Sequence, residues 1–150
     1  MKHCGLVTAW LAYEEFIISE PIPGDLLEFS RNLYQHWAVY VGGGEVIHFS
    51  GEPQNKKNAK ICRDKLSEVA GKSQLRINNE FDKKHRPHSE DEIVRRAESQ
   101  IGEMLGNYNV ISDNCECFAK WCRNGMYLSE QKNASHLDYA INAVGVATCK

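Results

Sequence analysis

The sequence predicts one small α/β domain, strands first and helices after. Three observations carry that reading: a length of 150 residues, alternating apolar residues on either side of Gly42-Gly43-Gly44, and apolar residues at helical spacing after Ser89. A chain of this length with 42% hydrophobic and 25% charged residues supports one core, since longer chains are needed before cores divide.

The Pro21-Ile22-Pro23-Gly24 turn separates an N-terminal extension, residues 1–22, from a domain spanning 23–150. Asp25 to Phe29 and Trp37 to Val41 read as strands, and the three glycines turn the chain into Glu45 to Phe49 as a hairpin. Residues 52–60 are polar and loop-like, 61–70 have no clear period, and Ser73 to Ile77 alternates as another strand. Ser89 with Glu92 forms a capping box. Ile93, Ala97, Ile101, Met104 and Leu105 follow at helical spacing, which predicts a helix over 89–105. A second helix is expected to start at Asp113 or Asn114, either able to cap it, and to stop at Asn124-Gly125. Residues 135–146 are expected to form a last short helix.

No apolar run reaches bilayer length; Tyr139 to Thr148 is too short and carries Asn142. Lys2-His3 followed by Leu6 to Tyr13 superficially resembles a signal peptide. Glu14, Glu15 and Glu20 then follow without a small-residue cleavage site, so secretion is not expected. The six cysteines, at 4, 62, 115, 117, 122 and 149, are accordingly expected as reduced thiols in a cytoplasmic protein. Net charge is only −2, yet Lys56 to Arg86 holds ten Lys and Arg against Asp64, Glu68, Glu80 and Asp82. A solvated surface is favoured for that excess over a dedicated site for RNA or anionic lipid, the RNA reading drawing on Lys56, Lys57, Lys60, Arg63, Lys83, Lys84 and Arg86.

A helix N-terminus stabilises a thiolate through free N–H groups and the macrodipole, and the expected helix start gives Cys115 that position. If the glycines form a loop of odd length, Val41 pairs with Glu45 and Ala38 with His48. His36 and His48 then emerge on one face as diagonal neighbours within reach of one thiol; a loop of even length would set them on opposite faces. Cys122 is expected as a small buried hydrophobe. Zinc on Cys115, Cys117 and Cys122 is disfavoured, because one residue separates the first two thiols and no second pair appears. No metal or other cofactor is expected. His3, His85, His88 and His136 sit in polar or terminal stretches and receive no role beyond solvation.

Four segments together resemble the LRAT-like family, which includes the phospholipase A/acyltransferases and the non-proteolytic 2A proteins of some picornaviruses of parechovirus type. They are Pro23-Gly24-Asp25-Leu26-Leu27-Glu28, the H-box His36-Trp37-Ala38-Val39-Tyr40-Val41-Gly42, Val46-Ile47-His48, and the NC motif Asn114-Cys115-Glu116. The order is that of the family across residues 23 to 130.

The resemblance implies a small α+β domain, an antiparallel sheet packed against helices in a circularly permuted papain-like arrangement. It also implies Cys115 as nucleophile, His36 as general base and His48 as its orienting partner, with Asn114, Tyr40, Trp37 and the Cys115 N–H in supporting or oxyanion roles. The implied reaction is acyl transfer or hydrolysis of lipid esters through a thioester, without proteolysis. Cys117 stands where the lipid-modifying members commonly have histidine, no C-terminal anchor is visible, and some two dozen residues precede the domain. These features resemble the picornavirus 2A branch. For that branch the alternative is a catalytically silent accessory protein of the host cytoplasm that binds RNA or host proteins.

Overall fold

The computed structural model describes residues 2–50, 59–103 and 111–125. Its centre is a five-stranded antiparallel sheet: β1 (Leu26–Ser30), β2 (Gln35–Gly42), β3 (Glu45–Ser50), β4 (Lys60–Lys65) and β5 (Leu75–Ile77), in the order β4-β3-β2-β1-β5. Among the described residues four helices accompany it: α1 (Tyr13–Phe16), α2 (Leu66–Ala70), α3 (Glu90–Ser99) and α4 (Ile111–Asn124), with 3₁₀ turns at Ile17–Ser19 and Glu80–Lys83. The architecture is the α+β one expected. The helix expected over 135–146 lies outside the described residues.

Alternation along β1 to β3 gives the sheet two apolar faces, so these strands are buried on both sides. Leu26, Trp37, Val39, Ile47 and Phe49 meet Ile93 and Ala97 of α3 and Cys115, Phe118, Ala119 and Cys122 of α4. Leu27, Phe29, Ala38 and Val46 face the other way, onto Phe16, Leu66, Ala70, Leu75 and Ile77. Each fully buried Leu, Ile or Phe in these layers contributes about 1.5–3 kcal/mol.

The hairpin differs from expectation in an instructive way. Gly42 pairs with Glu45, leaving a two-residue turn, Gly43-Gly44, with both φ values positive at 62° and 76°. That is the backbone a tight hairpin needs, and glycine adopts it without strain. The turn is therefore even, yet the register slips by one residue between Tyr40 and Gly42. This bulge restores Tyr40 opposite Val46 and Val39 opposite Ile47, the pairing an odd loop would have set.

Helix α3 begins as expected, with the Ser89 hydroxyl accepting the Glu92 N–H at 3.2 Å. It stops at Ser99 rather than 105. The chain turns out at Gly102, where φ is 91°, and pairs with β4 instead: Gly102 N–H donates to Ile61 O at 2.7 Å and Ile61 N–H to Glu103 O at 3.0 Å. Backbone pairing to the sheet edge wins over continued helical period, and Ile101 is left 42% exposed. Met104 and Leu105 lie outside the described residues.

Residues ahead of β1 pack against the sheet. Val7 bridges to Asn78, just after β5, and Leu11 to Leu75 of β5 itself, and Phe16 is fully buried. His3, expected only to be solvated, joins its Nδ1 to the buried Asp25 carboxylate at 2.7 Å.

Candidate active site

His36 on β2 and His48 on β3 share the sheet face that holds Phe29 and Ala38. His36 Nε2 lies 2.7 Å from His48 Nδ1, with the rings edge-on at 5.0 Å between centroids. The neighbourly relationship read from the hairpin is therefore present. The next partner had no local signal among the residues: His48 Nε2 lies 2.8 Å from Asp64 Oδ2. Asp64 stands opposite Val46 in the β3–β4 ladder, diagonal to His48, whose direct partner is Cys62.

The three groups form an ordered chain. A carboxylate only accepts, so His48 carries its proton on Nε2 and offers the lone pair of Nδ1; His36 then donates from Nε2. What remains is a bare lone pair on His36 Nδ1. Burial holds His36 well below its ordinary 6.5, and the neighbouring His48 and Arg31 charges lower it further. His48 is also lowered, by burial first, although the Asp64 hydrogen bond and charge oppose the shift. Burial would raise Asp64, but hydrogen bonds from His48 and Cys62 and the His48 charge hold its carboxyl below its ordinary 3.8. At neutral pH the pair is two neutral imidazoles against an ionised carboxylate.

Cys115 departs from expectation in two respects. Helix α4 starts at Ile111, so Cys115 is its fifth residue, past the first turn whose free N–H groups would favour a thiolate. The residue is also fully buried among the helix-facing apolar side chains. Burial pushes the thiol up to about 12, the Glu116 charge adding to it, against stabilising N–H groups of Trp37, Glu116 and Cys115 itself. The sulfur meets β2 beside His36, 3.9 Å from Gln35 O, but it packs with Trp37 and Val39 in the helix-facing layer, whereas the His36 ring stands on the other face against Phe29.

Among the other expected site residues, Asn114 is 1% exposed and its Nδ2 has no hydrogen-bond partner. Trp37 contributes through its backbone, while the Tyr40 hydroxyl is occupied in accepting the Gly44 N–H at 3.1 Å. Cys122 is buried as expected. Cys117 is disulfide-bonded, which corrects the expectation of an entirely reduced set; Cys4, Cys62, Cys115 and Cys122 are outside any disulfide.

The basic residues do not gather on one face. Lys60 and Arg63 lie on edge strand β4, with Arg63 paired to Glu45 and Glu98; Lys83, Lys84 and Arg86 follow β5, the opposite edge. Lys56 and Lys57 lie outside the described residues. Among the described residues no helix is long and apolar enough to cross a membrane.

Comparison with known proteins assigns the class. A family model described as lecithin retinol acyltransferase matches residues 19–128, and the chain belongs to that family. It is 38% identical over 139 residues to phospholipase A and acyltransferase 1 of Homo sapiens, covering 84% of this chain and 82% of that protein. It is 37% identical over 146 residues to the human phospholipase A and acyltransferase 2, covering 87% and 85%. It is 35% identical over 142 residues to phospholipase A and acyltransferase 3 of Mus musculus, covering 87% and 84%.

Proposed function

We propose that this protein moves acyl groups from lipid esters to an acceptor, or to water, through a thioester on Cys115. The reading is supported by the family match together with the Asp64–His48–His36 chain, whose open lone pair is His36 Nδ1; the reaction requires the Cys115 sulfur, which lies 3.9 Å from the neighbouring Gln35 O, to reach that atom. The names of the relatives supply the substrate class.

In the proposed reaction the Cys115 thiol gives its proton to His36 Nδ1 as sulfur attacks the ester carbonyl. Because burial holds the thiol neutral, deprotonation is concerted with attack rather than complete beforehand. Asn114 Nδ2 and backbone N–H groups at the sulfur are the donors for the developing oxyanion. His36 then returns the proton to the departing alkoxide, leaving the acyl thioester. An amine, hydroxyl or water attacks the thioester, its proton passing to His36 Nδ1 and on to the released Cys115 sulfur. His48 holds the His36 ring and tautomer, and Asp64 holds those of His48.

The test is intact-mass analysis after exposure to micelles of a short-chain phosphatidylcholine. The expected result is one added acyl group on the wild-type protein, absent in Cys115→Ala. In His36→Ala its formation slows by about 10²–10⁴-fold, the share a general base supplies. An acyl adduct that persists in Cys115→Ala, or none on the wild type, would overturn the reading.

A further inference from the structure

We infer that His48, Cys62 and Asp64 form a zinc site at the sheet edge. Cys62 lies directly opposite His48 in the β3–β4 ladder, and Asp64 is two residues on along the same face of β4. Strand register alone thus brings an imidazole, a thiol and a carboxylate together. Their ligand atoms all lie within 4.8 Å of one another: His48 Nε2 to Asp64 Oδ2 is 2.8 Å, Cys62 Sγ to Asp64 Oδ2 3.2 Å, and Cys62 Sγ to His48 Nε2 3.8 Å. Tetrahedral zinc sets sulfur, nitrogen and oxygen ligands roughly 3.3–3.6 Å apart, so each separation needs an adjustment of about 0.5 Å or less. The chemistry of the donor set, one thiolate and one imidazole with one carboxylate, suits zinc rather than calcium or magnesium.

Access is through β4, the edge strand. Asp64 keeps a side-chain exposure of 42% and borders an open cleft of about 370 Å³, which leaves room for a water as fourth ligand. The cation in that cleft, Arg31, is hydrogen-bonded to the carbonyls of Val69 and Ala70 and the hydroxyl of Ser73, although its charge still acts on His36 and His48. Glu68 adds a negative charge on the same rim.

The consequence for catalysis rests on the function proposed above. Zinc on His48 Nε2 moves that ring's proton to Nδ1, which then donates to His36 Nε2. The His36 proton shifts in turn to Nδ1, so the general base is capped. The Cys62 thiol releases its own proton to water on binding. The metal is therefore an inhibitor that inverts the proton order of the relay.

Cobalt(II) is the probe, because cobalt–thiolate bonding gives a charge-transfer absorption in the near ultraviolet. It is titrated into the full-length Cys115→Ala protein, which keeps the site and removes the nucleophile. The expected result is a thiolate–cobalt band saturating at one equivalent and displaced by zinc. Adding Cys62→Ser should abolish the band and weaken zinc binding by more than about a hundredfold, the most that outer-shell changes alone reach. No band in Cys115→Ala, or one that survives Cys62→Ser as a site at Cys4 would, overturns the inference. The cobalt readout needs no turnover, so a band in a protein without acyl transfer upholds the site and refutes only the catalytic reading.

Discussion

Arg123 and Asp82 form a buried ion pair at 2.8 Å, each side chain 1% exposed. The same guanidinium donates to Gly24 O at 2.9 Å, and Asn124 Nδ2 reaches the same carboxylate at 2.8 Å. The end of α4 is thereby fastened both to the turn ahead of β1 and to the segment after β5, which fixes how the helix bearing Cys115 lies across the sheet.

Arg123→Met leaves the Asp82 carboxylate buried without its counter-charge. The expected loss is about 3–5 kcal/mol of unfolding free energy, read from urea denaturation. The double variant with Asp82→Asn should lose less than the two single losses added together; strict additivity would mean that the pair is not coupled.

Protonation of the two imidazoles should be visible in stability. Both are held below 6.5 in the folded protein and titrate near 6.5 when unfolded. Below 6.5 the unfolded chain therefore binds more protons, and stability falls as pH drops from 7 through 6.5 and on toward the folded values. Asp64, held below 3.8, adds a further decline as pH falls through 3.8. Urea midpoints measured from pH 8 to 5 should slope downward in the wild type and flatten in His36→Gln/His48→Asn.

Gly24 has φ of 98°, and a Cβ there would stand 3.1 Å from Ile93 Cδ1. Gly24→Ala thus combines a left-handed backbone with a close approach to α3. A loss of about 1–3 kcal/mol is expected, seen as a lowered thermal midpoint.

Asp64→Asn keeps the shape but replaces an acceptor-only carboxylate with an amide that can turn either its oxygen or its NH2 to His48 Nε2, so the His48 tautomer is no longer fixed. In the acylation assay the expected effect is a fall in kcat of about ten- to a hundredfold, roughly 1.4–2.8 kcal/mol of barrier, with KM little changed. A rise in KM alone would mean that Asp64 serves substrate binding and not the imidazoles.

The strands of the central hairpin and the start of α3 were legible because alternation and a capping box are local signals. The pairing of His36 with His48 was also legible, though for an incomplete reason: an even turn with a bulge does the work expected of an odd loop. The early stop of α3 was not legible, since its cause is a backbone pairing between Gly102 and Ile61, 41 positions apart in the chain. Asp64 and Cys62 were hidden for the same kind of reason. Residues 61–70 change from strand to helix at Leu66, so neither period prevails, and only ladder register aligns them with His48. Burial of Cys115 escaped notice because a helix start drawn at residue 113 or 114 gave it a more exposed position than a start at Ile111 does.

Both rims of the sheet are occupied. Beyond β5 the segment through Val7 and Leu11 supplies partners, and beyond β4 the chain leaving α3 binds Ile61 on its outer side. At these points the backbone groups that would template a neighbouring molecule are already spoken for. The segment through Val7 and Leu11 thus covers backbone at one margin that would otherwise be open to edge-to-edge pairing, independently of any chemistry at the thiol.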